Sequence, residues 1–238
     1  MLVAAGNLPI KKILDDFKLM AKNKNEKHEL NRDNPNFIHR DGWGIVFDKQ
    51  GRLESYKNTK ACWEDSEFGK FYKVTTDFIM LHARRASQGM PISYEFTHPF
   101  EKDGWYFCHN GTIYDFEGVK EKSDSKQLFE MILNNLRHDS DVINTIRRTV
   151  NNFAIFSALN LILASNDKAY VLEMYGKDRY GREFPKYYTM KYLVKENYAI
   201  ISSERLPSFD GEWREIENRT ILVLDRMTHQ VEKFNVKL

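Results

Sequence analysis

The sequence predicts an α+β fold in which two mostly antiparallel sheets are flanked by helices. Short apolar segments recur in pairs joined by brief polar turns, as hairpins require. A block of helical periodicity separates the early pairs from the late ones. The length of 238 residues, with 42% hydrophobic and 29% charged side chains, buries a sizeable core and excludes bulk disorder.

The elements follow in order. The start, Met1-Leu-Val-Ala-Ala-Gly6, is apolar, but Pro9 and Lys11 come too early for a secretory signal. Ile10, Ile13, Leu14, Phe17 and Leu19/Met20 recur at helical spacing and predict a helix over 9–20. The polar stretch 21–36 reads as a solvated loop or as a flap over a site. Residues 44–47 and 52–56 form a hairpin across Asp48-Lys-Gln-Gly51, and 78–82 and 105–108 are short apolar strands. Leu128, Phe129, Ile132, Leu133 and Leu136 place a helix over 124–137, and a second covers 141–150. Three further hairpins are expected: 159–164 with 169–174, 187–194 with 198–202, and 221–224 with 231–236. Without repeats, low-complexity tracts or a linker, residues 1–238 read as a single domain.

Charge and cysteine content exclude several classes. Lys plus Arg number 36 against 34 for Asp plus Glu, so nothing favours nucleic acid or an anionic membrane as partner. The uncharged stretch 149–166 is too rich in Asn to span a bilayer. Cys62 and Cys108 cannot build a disulfide framework, and no Cys/His spacing fits zinc. No metal or organic cofactor is expected, and the cytoplasm is the expected compartment. The triplets Asn110-Gly-Thr112 and Asn218-Arg-Thr220 resemble glycosylation sites and have no meaning without secretion.

Three segments carry the chemistry. In His39-Arg-Asp-Gly-Trp-Gly44, two glycines around a tryptophan allow close approach of backbone to a neighbour or a ligand. In His82-Ala-Arg-Arg-Ala-Ser-Gln-Gly89, an arginine leaving a buried strand either clamps a carboxylate or forms a structural salt bridge. The third is His98-Pro-Phe100 followed by Trp105-Tyr-Phe-Cys-His-Asn-Gly111. Asn-Gly there is either a tight turn or a pair of donors aimed at one oxyanion. Ser123-Asp-Ser125 caps the following helix, and its carboxylate can also receive an ammonium group.

Together these segments resemble the class II glutamine amidotransferases, which are N-terminal nucleophile hydrolases. The resemblance covers roughly residues 1–205, in order and spacing, and Ile201-Ser-Ser-Glu-Arg-Leu206 is similar to the stand-alone members. It implies a four-layer αββα sandwich and hydrolysis of glutamine to glutamate and ammonia. Arg84 would hold the substrate α-carboxylate and Asp124 its α-ammonium, with Ser87 and His98 in the same pocket. Asn110 and Gly111 would be catalytic, as the oxyanion donors. Arg85 stands where some relatives carry an aromatic residue and receives no role. The expected partners are glutamine and a separate ammonia-accepting synthase subunit, with homo-oligomer formation left open.

The family's nucleophile is a cysteine exposed as the first residue, whose own α-amine serves as base. Here Met1 falls at the third place of the comparable strand, so the expectation is a true start of Met-Cys-Arg ahead of Met1. The rival expectation is an inactive relative that binds glutamine or a partner. Cys108 lies on an apolar strand and reads as an inert thiol, while Cys62 has no base beside it.

Overall fold

β1 (Leu2–Gly6) shows how the layers arise. Its side chains alternate, so Leu2 and Ala4 join one apolar cluster while Val3 and Ala5 join another on the opposite face. All five residues are buried, which places the strand inside a sheet covered on both sides. The computed structural model describes residues 1–32, 34, 36–116 and 123–237, so Asp33 and Pro35 of the polar stretch lie outside the described residues.

After β1 come α1 (Ile10–Ala21), β2 (Trp43–Lys49), β3 (Arg52–Asn58), β4 (Phe78–Ala83), β5 (Phe100–Lys102) and β6 (Trp105–Asn110). A helical block, α2 (Asp124–Leu136) and α3 (Val142–Val150), precedes β7 (Asn160–Ala164) and β8 (Lys168–Glu173). The chain ends with α4 (Pro185–Tyr188), β9 (Lys191–Val194), β10 (Tyr198–Ser202), β11 (Arg214–Glu215), β12 (Thr220–Asp225) and β13 (Val231–Asn235). The strands form a seven-stranded sheet, β11-β9-β10-β1-β4-β2-β3, and a six-stranded sheet, β13-β12-β8-β7-β6-β5. Every ladder between these strands is antiparallel.

The sheets stack through a core that takes Val3, Met80 and Ile201 from one and Cys108, Ile162 and Val171 from the other. Ile13, Leu14 and Phe17 of α1, with Phe68 and Phe71 of the 3-10 segment Ser66–Lys73, cover the outer face of the first sheet. Leu128, Phe129 and Ile132 of α2 and Ile146 of α3 cover the outer face of the second. The molecule is therefore a four-layer αββα sandwich. No described helix is long and apolar enough to cross a membrane.

One element differs from its expected form. Residues 187–194 were expected as strand, but Tyr187 and Tyr188 belong to α4 and only β9 pairs with β10. Pro185 opens that turn, and the Glu29 carboxylate accepts from the Lys186 N–H at 3.0 Å and the Tyr187 N–H at 3.1 Å. A long-range carboxylate thus overrides the strand propensity of two tyrosines. The stretch that supplies it is also more than a solvated loop. His28 and Asn31 are buried, and Asn31 Nδ2 donates to Asn23 Oδ1 at 3.0 Å and to the Glu26 carbonyl at 2.9 Å.

Register brings three strand ends to one rim. Leu2 faces Leu81 across β1 and β4, Gly44 faces His82 across β2 and β4, and β6 ends where Asn110 faces Asn160 of β7.

Candidate active site

Beyond β4 the chain stays extended. The Arg84 N–H donates to the Gly42 carbonyl at 2.7 Å, and its carbonyl accepts from the Asp41 N–H at 2.9 Å. The Asp41 carboxylate then takes the Ala86 N–H at 2.8 Å, which zips the first two motifs together. Arg84 is only 7% exposed, and Nη1 donates to the Pro91 carbonyl at 3.1 Å. Among the described residues it forms no ion pair, so the salt-bridge alternative is not realised. Burial lowers its pKa, opposed by the Asp41 and Asp124 carboxylates.

Gly44 explains the glycine–tryptophan turn. A Cβ there would lie 2.5 Å from Pro99 Cδ, so only glycine lets β2 pass against the segment that carries His98. Trp43 points the other way, donating from Nε1 to the buried Asp65 carboxylate at 3.0 Å. His98 is 5% exposed, packs at a tilt 4.4 Å from the His82 ring and 4.4 Å from Phe100, and among the described residues neither ring nitrogen has a hydrogen-bond partner. Burial, reinforced by His109, Arg84 and Lys57, holds its pKa well below the ordinary histidine range. The imidazole is neutral at pH 7.

Asn110 ends β6 and Gly111 follows it without forming a hairpin, because the helical block intervenes before β7. Gly111 has φ +144°, and an added Cβ would collide with the Ala158 carbonyl. Asn110 Oδ1 accepts from the Tyr187 hydroxyl at 3.5 Å, while its Nδ2 donates to no protein acceptor among the described residues. Asp124 opens α2, whose cap is the Ser123 hydroxyl, accepting from the Lys126 N–H at 3.2 Å. That leaves the Asp124 carboxylate to accept from the Ile113 N–H at 2.9 Å and the Ser125 N–H at 2.8 Å. Behind it, His109 Nδ1 and Ser125 Oγ are 2.8 Å apart.

All six residues singled out in the sequence, Arg84, Ser87, His98, Asn110, Gly111 and Asp124, line one cavity of about 100 Å³. The same cavity reaches Met1, whose carbonyl accepts from the Ser203 N–H at 3.0 Å. A guanidinium and a carboxylate on one wall complement an amino-acid zwitterion. A free amide N–H at the end of a strand suits a developing oxyanion.

Sequence reasoning missed the second wall. His39, Arg85, Tyr187 and Glu204 also line the cavity. The Tyr187 hydroxyl and His39 Nε2 are 3.1 Å apart, Phe37 and Tyr187 pack edge to face at 5.4 Å, and the Arg85 guanidinium lies 4.3 Å above Phe37. Burial pushes the Glu204 carboxyl up to about 7 and the His39 imidazole down to about 3. Three of this wall's residues lay in segments the sequence had singled out: His39 in the first motif, Arg85 in the second and Glu204 in 201–206. None was given a role there, and Tyr187 carried no signal. Neither cysteine reaches the cavity: Cys108 sits in the core between the sheets and Cys62 under α1, and burial raises both thiol pKa values. Among the described residues no group of three metal-ligating side chains converges.

Comparison with known proteins fixes the family. Residues 30–174 match the model of class-II glutamine amidotransferases. YafJ of Escherichia coli K12, a glutamine amidotransferase by name, is 24% identical over 111 residues, covering 41% of this chain and 43% of YafJ. The gamma-glutamyl-hercynylcysteine sulfoxide hydrolase of Mycolicibacterium smegmatis is 31% identical over 92 residues, covering 38% of this chain and 37% of that enzyme. The chain thus spans about two fifths of the curated relatives it matches. The structure of a predicted glutamine amidotransferase from Pseudomonas aeruginosa PA01 superposes with TM-score 0.59 at 15% identity, covering 97% of this chain and 98% of that one, and shares the fold. With the family model matched over more than half its length and the motif residues gathered in one cavity, the chain belongs to the class-II glutamine amidotransferases.

Proposed function

We propose that the cavity binds L-glutamine and, with a thiol presented at its β1 end, hydrolyses the side-chain amide to glutamate and ammonia. The observation that carries this reading is the convergence of the six motif residues on one cavity beside the start of β1. Arg84 holds the α-carboxylate by charge-assisted hydrogen bonds, and Asp124 receives the α-ammonium. Ser87 and neutral His98 complete the polar lining. The thiol adds to the amide carbonyl, and Asn110 Nδ2 with the Gly111 N–H stabilises the oxyanion. Ammonia leaves with the proton that the nucleophile's own amine took up, and water then releases glutamate from the thioester. In a β1 continued backwards, the residue two positions ahead of Met1 shares its face, and Met1 lines the cavity. Residues 1–238 act as one amidotransferase unit, whose ammonia goes to water or to a separate synthase subunit.

The placement of both cysteines away from the cavity supports a second reading, a module that binds glutamine or a partner without turnover. One experiment separates the two. The chain is prepared with Met-Cys-Arg ahead of Met1 and, in parallel, with Met-Ser-Arg. Intact mass reports removal of the initiator Met, and glutamate release is assayed. The first reading expects hydrolysis by the cysteine form and a loss of about a thousandfold or more in the serine form. Glutamine binding with no hydrolysis by the cysteine form supports the binding module. Failure of every form to bind glutamine contradicts both.

A further inference from the structure

The two adjacent arginines of the second motif lie in different surroundings. Arg84 is buried beside Asp41 and Asp124, whereas Arg85 is exposed at the cavity edge and stacked on Phe37 at 4.3 Å. Among the described residues Arg85 makes no hydrogen bond and no ion pair. Because Arg84 is bonded through both its N–H and its carbonyl to residues 41–42, the chain is extended here and successive side chains point to opposite sides. The cavity is thus lined by two cations in different surroundings. Contacts link Asn110 to both. Tyr187, bonded to its Oδ1, packs against Phe37 under Arg85, while the Asp124 carboxylate holds the Ile113 N–H just beyond Gly111.

An amide also has two ends. With the glutamyl head on Arg84 and Asp124 and the carbonyl at Asn110 and Gly111, the nitrogen substituent extends toward Tyr187 and Arg85. We propose that this second wall is a subsite for the amine half of the substrate, and that the substrate class is γ-glutamyl amides whose amine portion carries a carboxylate, such as γ-glutamyl amino acids. The inference rests on the glutamine reading above. Tyr187 and the hydrocarbon stem of Arg85, backed by the buried Phe37 ring, cover the hydrocarbon of the amine half. The guanidinium lies over the Phe37 ring and makes no hydrogen bond among the described residues, so its N–H groups are free for a carboxylate. Bare ammonia gains nothing from this wall, since it offers no anion to Arg85, and a solvated guanidinium admits water where ammonia held for transfer needs a dry passage. In the hydrolysis the amide C–N bond breaks, water gives its hydroxyl to the γ-acyl group and a proton to the nitrogen, and glutamate and a free amino acid form without redox change.

The test is calorimetric titration of the chain as given with L-glutamine, γ-glutamylglycine and γ-glutamylglycinamide. The last two differ only in the terminal carboxylate. The expected result is that γ-glutamylglycine binds about fivefold tighter than its amide, the size of one exposed charge pair. Arg85→Gln abolishes that preference, and Arg85→Lys retains part of it. Arg84→Ala weakens all three ligands. If glutamine binds in an Arg84-dependent way but the carboxylate makes no difference, or its preference survives Arg85→Gln, the amine subsite is wrong and the glutamine reading stands. If none of the three binds, or Arg84→Ala changes nothing, the glutamine reading fails and takes the subsite with it.

Discussion

The two walls of the cavity are built differently. The first, with Arg84, Asn110, Gly111 and Asp124, comes from ends of regular elements held by backbone bonds: the Arg84–Gly42 pair, the end of β6 and the start of α2. The second, with His39, Arg85 and Tyr187, comes from loops and a one-turn helix joined by side-chain contacts, among them the Glu29 carboxylate on α4 and the His39–Tyr187 pair. The first wall is set by strand register, so its geometry changes only if the sheets do. The second lies outside the strand ladders and depends on contacts between segments far apart in the chain. The difference suits a site that grips one constant group and meets one variable group.

Substitutions test that division, and the reading expects their effects to fall in a definite order. In the form carrying a cysteine ahead of Met1, Asn110→Ala lowers glutamine turnover by about a hundredfold, as loss of one oxyanion donor does. Near-normal turnover would return Asn110 to a structural role. Arg84→Ala and Asp124→Ala each raise the Michaelis constant for glutamine by about tenfold or more, because they hold the end of the substrate remote from the reaction. Unchanged constants would remove both residues from the site. Tyr187→Phe lowers turnover by only about fivefold at an unchanged Michaelis constant, since the hydroxyl acts through Asn110 Oδ1. A loss as large as that of Asn110→Ala would erase the distinction between the walls.

Acid sharpens the comparison further. Burial, opposed by Glu29 and Glu26, lowers the pKa of His28 behind the second wall from 6.5 to about 4. Between those values the unfolded chain holds a proton that the folded chain lacks, so this contribution to stability is lost as pH falls from 6.5 towards 4. Urea unfolding at pH 7, 6 and 5 therefore shows a falling midpoint, and His28→Gln flattens the slope by about one proton per molecule. An unchanged slope in that variant would show His28 to be solvated. Glu204 works in the opposite sense: with its carboxyl raised from 4.5 to about 7, its contribution is fully present below 4.5 and is lost as pH rises to 7, so it offsets part of the histidine effect over the same interval.

The same division explains what could be read from the sequence. The first wall lay in short motifs whose residues have few alternative uses: a glycine at φ +144° against Ala158, a glycine under Pro99, an arginine leaving a buried strand. Helices over 9–20, 124–137 and 141–150 match α1, α2 and α3 to within a residue or two, because amphipathic periodicity is a local property. The second wall was illegible because its residues are brought together by contacts across the chain. Tyr187 lies 158 positions from Glu29, and a tyrosine pair before Lys191 reads as strand unless that carboxylate is known to cap the turn. The buried His28–Asn31 network was hidden in the same way, since a run of Lys, Asn and Glu gives no sign of which side chains turn inward.

The most direct test compares binding of L-glutamine with that of its α-carboxamide to the chain as given and to Arg84→Ala. If the first wall recognises an amino-acid head group, glutamine binds at least about tenfold tighter than the α-carboxamide, and Arg84→Ala brings the two together. Equal affinity of the unsubstituted chain for both ligands would contradict the account.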